Sequence, residues 1–367
     1  NTQFLVAKWG IGTDAAERTL RATTQRGVRS FDGKSASVGR RFPTGDCHLQ
    51  SKRLSHPLYH DTLFSTVKST RGNTCSEIYA TDFCWSWNFP MKHKSEAHYT
   101  LDKLFHRYGV PPRLISDNAP ELTKGEFAAK ARKAQCPIDL TDPYSPWQNR
   151  SESEIHEVKR LSGRWMVKTQ SPKVLWDRCV ELSSKIHLSI AHNLYQLKGE
   201  VPETLMTGET HDISHLCEFA WYDWVMYHDE PTGFPETKEK LSRYLGPTDP
   251  GIGSTMTYQI LRPSGRVVHR QTIRLLTPQE WEDDVHKKMR EEFNKQVKNE
   301  LGKAMLEKDL KDLGLRREIL AITPTYEAYA DDSELQERQD DVDDFDPETY
   351  DSYIQSQIKL PRGEDMS

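Results

Sequence analysis

Three acidic residues stand where a hard cation could be held. Asp61 lies in LYHDTLFS, Asp117 in RLISDNAPE, and Glu152 just after YSPWQNR. Hard divalent cations are bound by carboxylate oxygens. Two such ions about 3.5–4 Å apart can activate an attacking oxygen and stabilise a leaving one in phosphoryl transfer. Each acid alone is an ordinary strand end or cap. The chemistry needs all three to converge, so the elements that carry them decide the matter.

The periodicity predicts a strand through Leu58, Leu63, Phe64 and Val67, and a second with Ile78, Tyr79 and Phe83. Trp85, Trp87, Phe89 and Met91 alternate with period two, as in a third strand. A helix capped by Ser95 runs to about Tyr108, closed by Gly109 and Pro111-Pro112. Arg113–Ser116 reads as a short buried strand ending at Asp117, and 124–135 as a helix. Ile138 and Leu140 mark another strand, and a long helix follows from about 150 to 168. This order predicts an α/β fold, a mixed five-stranded sheet with helices on both faces. A further helix spans Trp176–His192. Strand runs at Trp221–Tyr227, Met256–Leu261 and Val267–Leu275 predict a small β domain, followed by a charged helix over 279–318. Trp221, Trp224 and Tyr227 fit the core of that domain better than a stacking platform.

The chain has 367 residues, 35% of them hydrophobic, and a mean hydropathy of -0.77. It contains no apolar run long enough to cross a membrane as a helix. It begins with Asn1, which suggests a piece of a longer polypeptide. Residues 331–367 hold 13 acidic and 3 basic residues, a balance of -10, which leaves +5 of the chain's -5 on residues 1–330. Residues 1–54 hold 10 Lys/Arg against 4 Asp/Glu. A basic head suggests a nucleic-acid partner, and an acidic tail a disordered segment. An ordinary charged surface is the plainer alternative. In the head, Leu5, Trp9 and Ile11 precede a break at Gly12-Thr13-Asp14, with Thr13 or Asp14 able to cap a second helix. The pair resembles a helix-turn-helix, and Arg18, Arg21 and Arg26 could meet phosphates. A helical hairpin with solvated arginines is the alternative. The six cysteines show no CxxC pair, which excludes a disulfide framework or zinc site and fits a reducing compartment.

Several short motifs, taken in order, resemble the DDE integrases of copia-type LTR retrotransposons. They are Arg71-Gly72-Asn73, Phe89-Pro90-Met91-Lys92-His93, Ser116-Asp117-Asn118 and Tyr144-Ser145-Pro146-Trp147-Gln148-Asn149. Glu203–Gly208, Arg243–Pro247 and Ile273–Thr277 continue the likeness, which covers about residues 57–278. The resemblance implies an RNase H-like core, with a small N-terminal helical region and a small C-terminal β domain that is a DNA-binding accessory. It implies a head and linker at 1–55, a catalytic core at 56–170 and a helical extension at 171–215. The β domain then covers 216–280, a charged helix 281–322 and an acidic tail 323–367. It also implies Mg²⁺ or Mn²⁺ as cofactor, 3′-end trimming and strand transfer of element DNA into target DNA, and a homo-oligomer. The other partner would be the rest of the polyprotein, in the nucleus or a cytoplasmic virus-like particle. A catalytically decayed DNA-binding relic is the alternative. The family's upstream zinc-binding His/Cys set is not visible.

Within that resemblance the first aspartate carries over to Asp61, which leaves the family's usual span before Asp117. Asp82 is the competitor. The usual spacing to the glutamate lands on Ser153, flanked by Glu152 and Glu154. These two point roughly 200° apart on a helix, so both cannot face one site. Glu154 lies on the apolar stripe Ile155, Val158, Leu161, Trp165, while Glu152 borders it in line with His156 and Lys159. Glu152 is therefore taken as the third ligand, with a one-residue shortening of the preceding loop. Asn118, Gln148 and Asn149 could contact DNA or a metal's water, as could His156 and Lys159 DNA. For Asn149 a plain helix cap is an equal alternative.

Overall fold

Alternation along the second strand explains the layering. In β2 (Cys75–Ala80), Cys75 and Tyr79 pack into one apolar cluster and Ile78 and Ala80 into another. Successive strand side chains point to opposite faces, so a strand buried throughout needs a cover on each side. The computed structural model describes residues 2–25, 52–117, 125–141, 149–229, 238–248 and 257–312. In it β1 (Leu58–Phe64) pairs antiparallel with β2, and β2 antiparallel with β3 (Ser86–Met91). On the other edge β1 runs parallel to β4 (Leu114–Ser116), and β4 parallel to β5 (Ile138–Leu140). The strand order 3-2-1-4-5, with these directions, is the expected RNase H-like mixed sheet.

One face is covered by α2 (Ala97–Arg107) and α3 (Gly125–Lys133), after α1 (Thr13–Ala22) in the head. The other is covered by α4 (Arg150–Thr169) and α5 (Trp176–His187) through Ile155, Val158, Trp176 and Val180. A second sheet, ordered β10-β6-β7-β8-β9, is antiparallel throughout: β6 (Trp224–His228), β7 (Glu239–Pro247), β8 (Tyr258–Leu261), β9 (Val267–Arg270) and β10 (Ile273–Leu275). Trp221 and Trp224 are buried against α4, α5 and Phe293 of the long helix Asp284–Asp312, and Tyr227 in the second sheet's own apolar cluster.

Several local expectations are corrected. Strand β7 has no counterpart in the sequence reading, because two exposed charged residues open it and a bulge at Tyr244/Gly246 breaks its alternation. The expected Val267–Leu275 strand is two strands, and α5 ends at His187, five residues early. Ser95 does not cap α2. It falls in a tight turn, Lys94–Glu96, that leads into the helix. Helix α1 starts after Gly12 without a side-chain cap, so neither Thr13 nor Asp14 caps it.

Two family-like motifs have structural explanations. Arg71-Gly72-Asn73 ties the β1–β2 turn to α5. Arg71 Nε donates to Asp177 Oδ2 at 2.7 Å and Asn73 Nδ2 to the same oxygen at 2.8 Å, with Gly72 at φ 87°. Asp177 is fully buried. Removing Arg71 leaves that carboxylate without its cation, so Arg71→Ala is expected to destabilise the fold by on the order of 3 kcal/mol in urea unfolding. In the Glu203–Gly208 motif, Glu203 accepts from Trp85 Nε1 at 2.8 Å and joins its short helix to the turn before β3.

Candidate active site

Asp61 sits opposite Ile78 in the β1–β2 register and shares its face, the one covered by α4 and α5. His60 pairs with Ser116 across the parallel β1–β4 ladder, so Asp117, one residue on, falls beside Asp61. Asp82 is exposed in the turn after β2. The ladder ends where Ala80 pairs with Tyr59, so Asp82 lies beyond it, toward the end of the sheet away from Asp61 and Asp117.

Electrostatics links the acids in pairs. Burial raises the Asp61 carboxyl to about 6, the negative charges of Asp117 and Glu77 adding to the effect and a Thr62 N–H bond at 2.6 Å opposing it. Glu152 is exposed in the first turn of α4. Partial burial, and then the charge of Asp117, raise its carboxyl as well. Asp117 is thus coupled to both other acids.

Beneath Asp61, on the opposite face of the sheet, lies a buried network that sequence reasoning missed. Glu77 faces His60 Nδ1 at 2.9 Å and accepts from Thr62 Oγ1 at 2.8 Å, and His60 stacks between Tyr79 and Phe127. The available signal was the alternation His60, Thr62 and Glu77 on strands otherwise apolar on that face.

Glu154 points elsewhere. It is buried, and its Oε2 lies 3.3 Å from His187 Nδ1, with Cys84, Ser86 and His192 also facing the carboxyl. Burial raises Glu154 to about 7 and lowers His187 and His192 to about 4. A carboxyl raised on folding contributes stability below its unfolded value near 4.5 and loses it as pH rises through 7. Glu154→Gln is therefore expected to melt several degrees above the wild type at pH 8, with the gap closing at pH 5, read by thermal unfolding in both buffers.

Asn149 is buried at 2% exposure and engaged at both ends. Its Oδ1 caps α4 by accepting from the Ser151 N–H at 3.1 Å, and its Nδ2 donates to Asp117 Oδ1 at 3.1 Å. Thr141 Oγ1 donates to the same Asp117 oxygen at 3.0 Å. His156 and Lys159 are exposed, in line with Glu152 along α4. In the head, Arg18 Nε donates to the Ala191 carbonyl at 3.3 Å, and Arg21 is exposed and 3.5 Å from Glu17. Trp9, Leu5 and Ala16 of the head are buried against Trp165, Leu175 and Leu216. Arg26, Asn118, Gln148 and the acidic tail lie outside the described residues.

The donors fit a magnesium-class ion. They are carboxylate oxygens only, and their mutual repulsion is what a cation relieves. Among the described residues no three His, Cys, Asp or Glu side chains converge closely enough to enclose one ion, so the acids form an open, pairwise-coupled set.

No protein-family model and no curated protein matches the chain. Among solved structures it is similar to the integrase catalytic core domain of HTLV-2 in complex with magnesium. The trimeric form matches at 14% identity and a TM-score of 0.33, over 41% of this chain and 95% of that one. The dimeric form matches at 13% and 0.32, over 42% and 96%. Likeness at this level carries no residue across from those proteins. The fold assignment stands on strand order and direction.

Proposed function

We propose that this chain is an integrase of the copia-type retrotransposon class, a polynucleotidyl transferase that joins element DNA ends to target DNA. The observation that carries the reading is geometric: in the 3-2-1-4-5 sheet Asp61 of β1 and Asp117 after β4 fall side by side, and Asp117 is tied through Asn149 to the start of α4, which bears Glu152. Asp61, Asp117 and Glu152 would hold Mg²⁺ or Mn²⁺, which supplies positive charge where the phosphoryl group is transferred. Asp61 and Asp117 would offer oxygens from neighbouring strands, and Glu152 would complete the set from α4 once a cation draws the acids together. His156 and Lys159, on the same exposed row as Glu152, suit the phosphates of a bound DNA end. Asn118, Gln148, Arg18, Arg21 and Arg26 belong to the same proposal, with the β domain as a further DNA contact. The resemblance further supports a homo-oligomer, processed from a longer polyprotein and working on nuclear DNA or within a virus-like particle.

The test is a strand-transfer assay on a labelled DNA end with a second duplex and Mg²⁺. Joined product is expected from the wild type. DNA binding without any joined product would favour a non-catalytic relic.

A further inference from the structure

Asn149 does more than start a helix. Its two functional groups serve two elements: the amide oxygen caps α4, and the amide nitrogen holds Asp117 Oδ1 beyond β4. Helix α4 carries Glu152 three residues later. One buried side chain therefore fixes the second aspartate to the helix that bears the third acid. Thr141, just past β5, donates to the same oxygen, and neither contact uses Oδ2. A carboxylate with one oxygen held by two donors has a fixed orientation, and among the described residues no donor occupies its other oxygen.

We infer that Asn149 is a positioning residue that orients Asp117 for metal binding and links it to Glu152. This rests on the reading of Asp117 as a metal ligand. Partners that orient a ligand in this way are commonly worth 10–100-fold in metal affinity.

Capping and bracing can be separated. Serine is about as good a helix cap as asparagine, and glycine costs only a few tenths of a kcal/mol, but neither donates as the amide does. Asn149→Ser and Asn149→Gly are expected to melt within a few degrees of the wild type without metal. Mn²⁺ affinity, followed by electron paramagnetic resonance of the free ion, is expected to fall roughly 10-fold or more in both. Thr141→Val, which removes the other donor without touching α4, is expected to weaken Mn²⁺ in the same direction. Wild-type affinity, within about twofold, in either folded Asn149 variant would overturn the inference. Unfolding of both at 25 °C would overturn it too, in favour of a purely structural cap. A wild type that binds no Mn²⁺ fails the metal reading itself, a result distinct from unchanged binding in the variants.

Discussion

Glu152→Gln is expected to abolish DNA joining, by roughly 10³-fold or more, while DNA binding persists. The substitution keeps shape and hydrogen bonding and removes only the charge a hard cation needs. Glu154→Gln, two residues along the same helix, is expected to retain substantial activity. Its carboxyl is buried against His187 and Cys84 rather than coupled to Asp117. The contrast between neighbouring glutamates removes general effects on α4 from the comparison. Equal losses in both variants would mean that α4, not a ligand, had been damaged. A loss confined to Glu154→Gln would move the third ligand to that residue.

Asp61→Asn is expected to stabilise the metal-free protein at pH 8 while destroying its activity. Folding raises the Asp61 carboxyl from 3.8 to about 6. The stability this group contributes is present below its unfolded value and is lost as pH rises through 6. At pH 8 wild-type Asp61 is ionised while largely buried and beside Asp117 and Glu77, at a cost of about 3 kcal/mol that the amide avoids. The variant should melt several degrees higher in EDTA at pH 8, with little difference at pH 4. Added Mg²⁺ should raise the wild-type melting temperature and leave that of Asp61→Asn nearly unchanged, because only the wild type gains from binding. A metal-free Asp61→Asn protein that melts below the wild type at pH 8 would mean that burial and the neighbouring acids do not penalise the ionised carboxylate as proposed. Such a gain in stability from a lost charge is typical of sites held together against electrostatic cost.

The arrangement of the core was legible because the five strands and four covering helices follow simple periods. Alternation marked Trp85–Met91, and the 3.6-residue stripe of α4 separated Glu154 from Glu152 by helical phase alone. The pairing of Asp61 with Asp117 came instead from the family resemblance; in the fold Asp61 lies in β1 and Asp117 one residue past the end of its parallel neighbour β4. Strand β7 was missed because its charged start and its bulge obscure the period. The brace from Asn149 to Asp117 was invisible for a different reason. It joins residues 32 positions apart through one amide, and the sequence around Asn149 signals only a cap. For the buried Glu77–His60–Thr62 set, alternation could mark the polar residues on one face, but which of them meet depends on the β1–β2 register.

A divalent-ion site made by Asp61, Asp117 and Glu152 is open to anomalous diffraction at the manganese edge, from crystals of the protein soaked in Mn²⁺. The predicted result is anomalous density beside the Asp61 and Asp117 carboxylates, reaching Glu152 and disappearing in Asp117→Asn. Density at Glu154 and His187 instead, or none beside Asp61 and Asp117 at millimolar Mn²⁺, would contradict it.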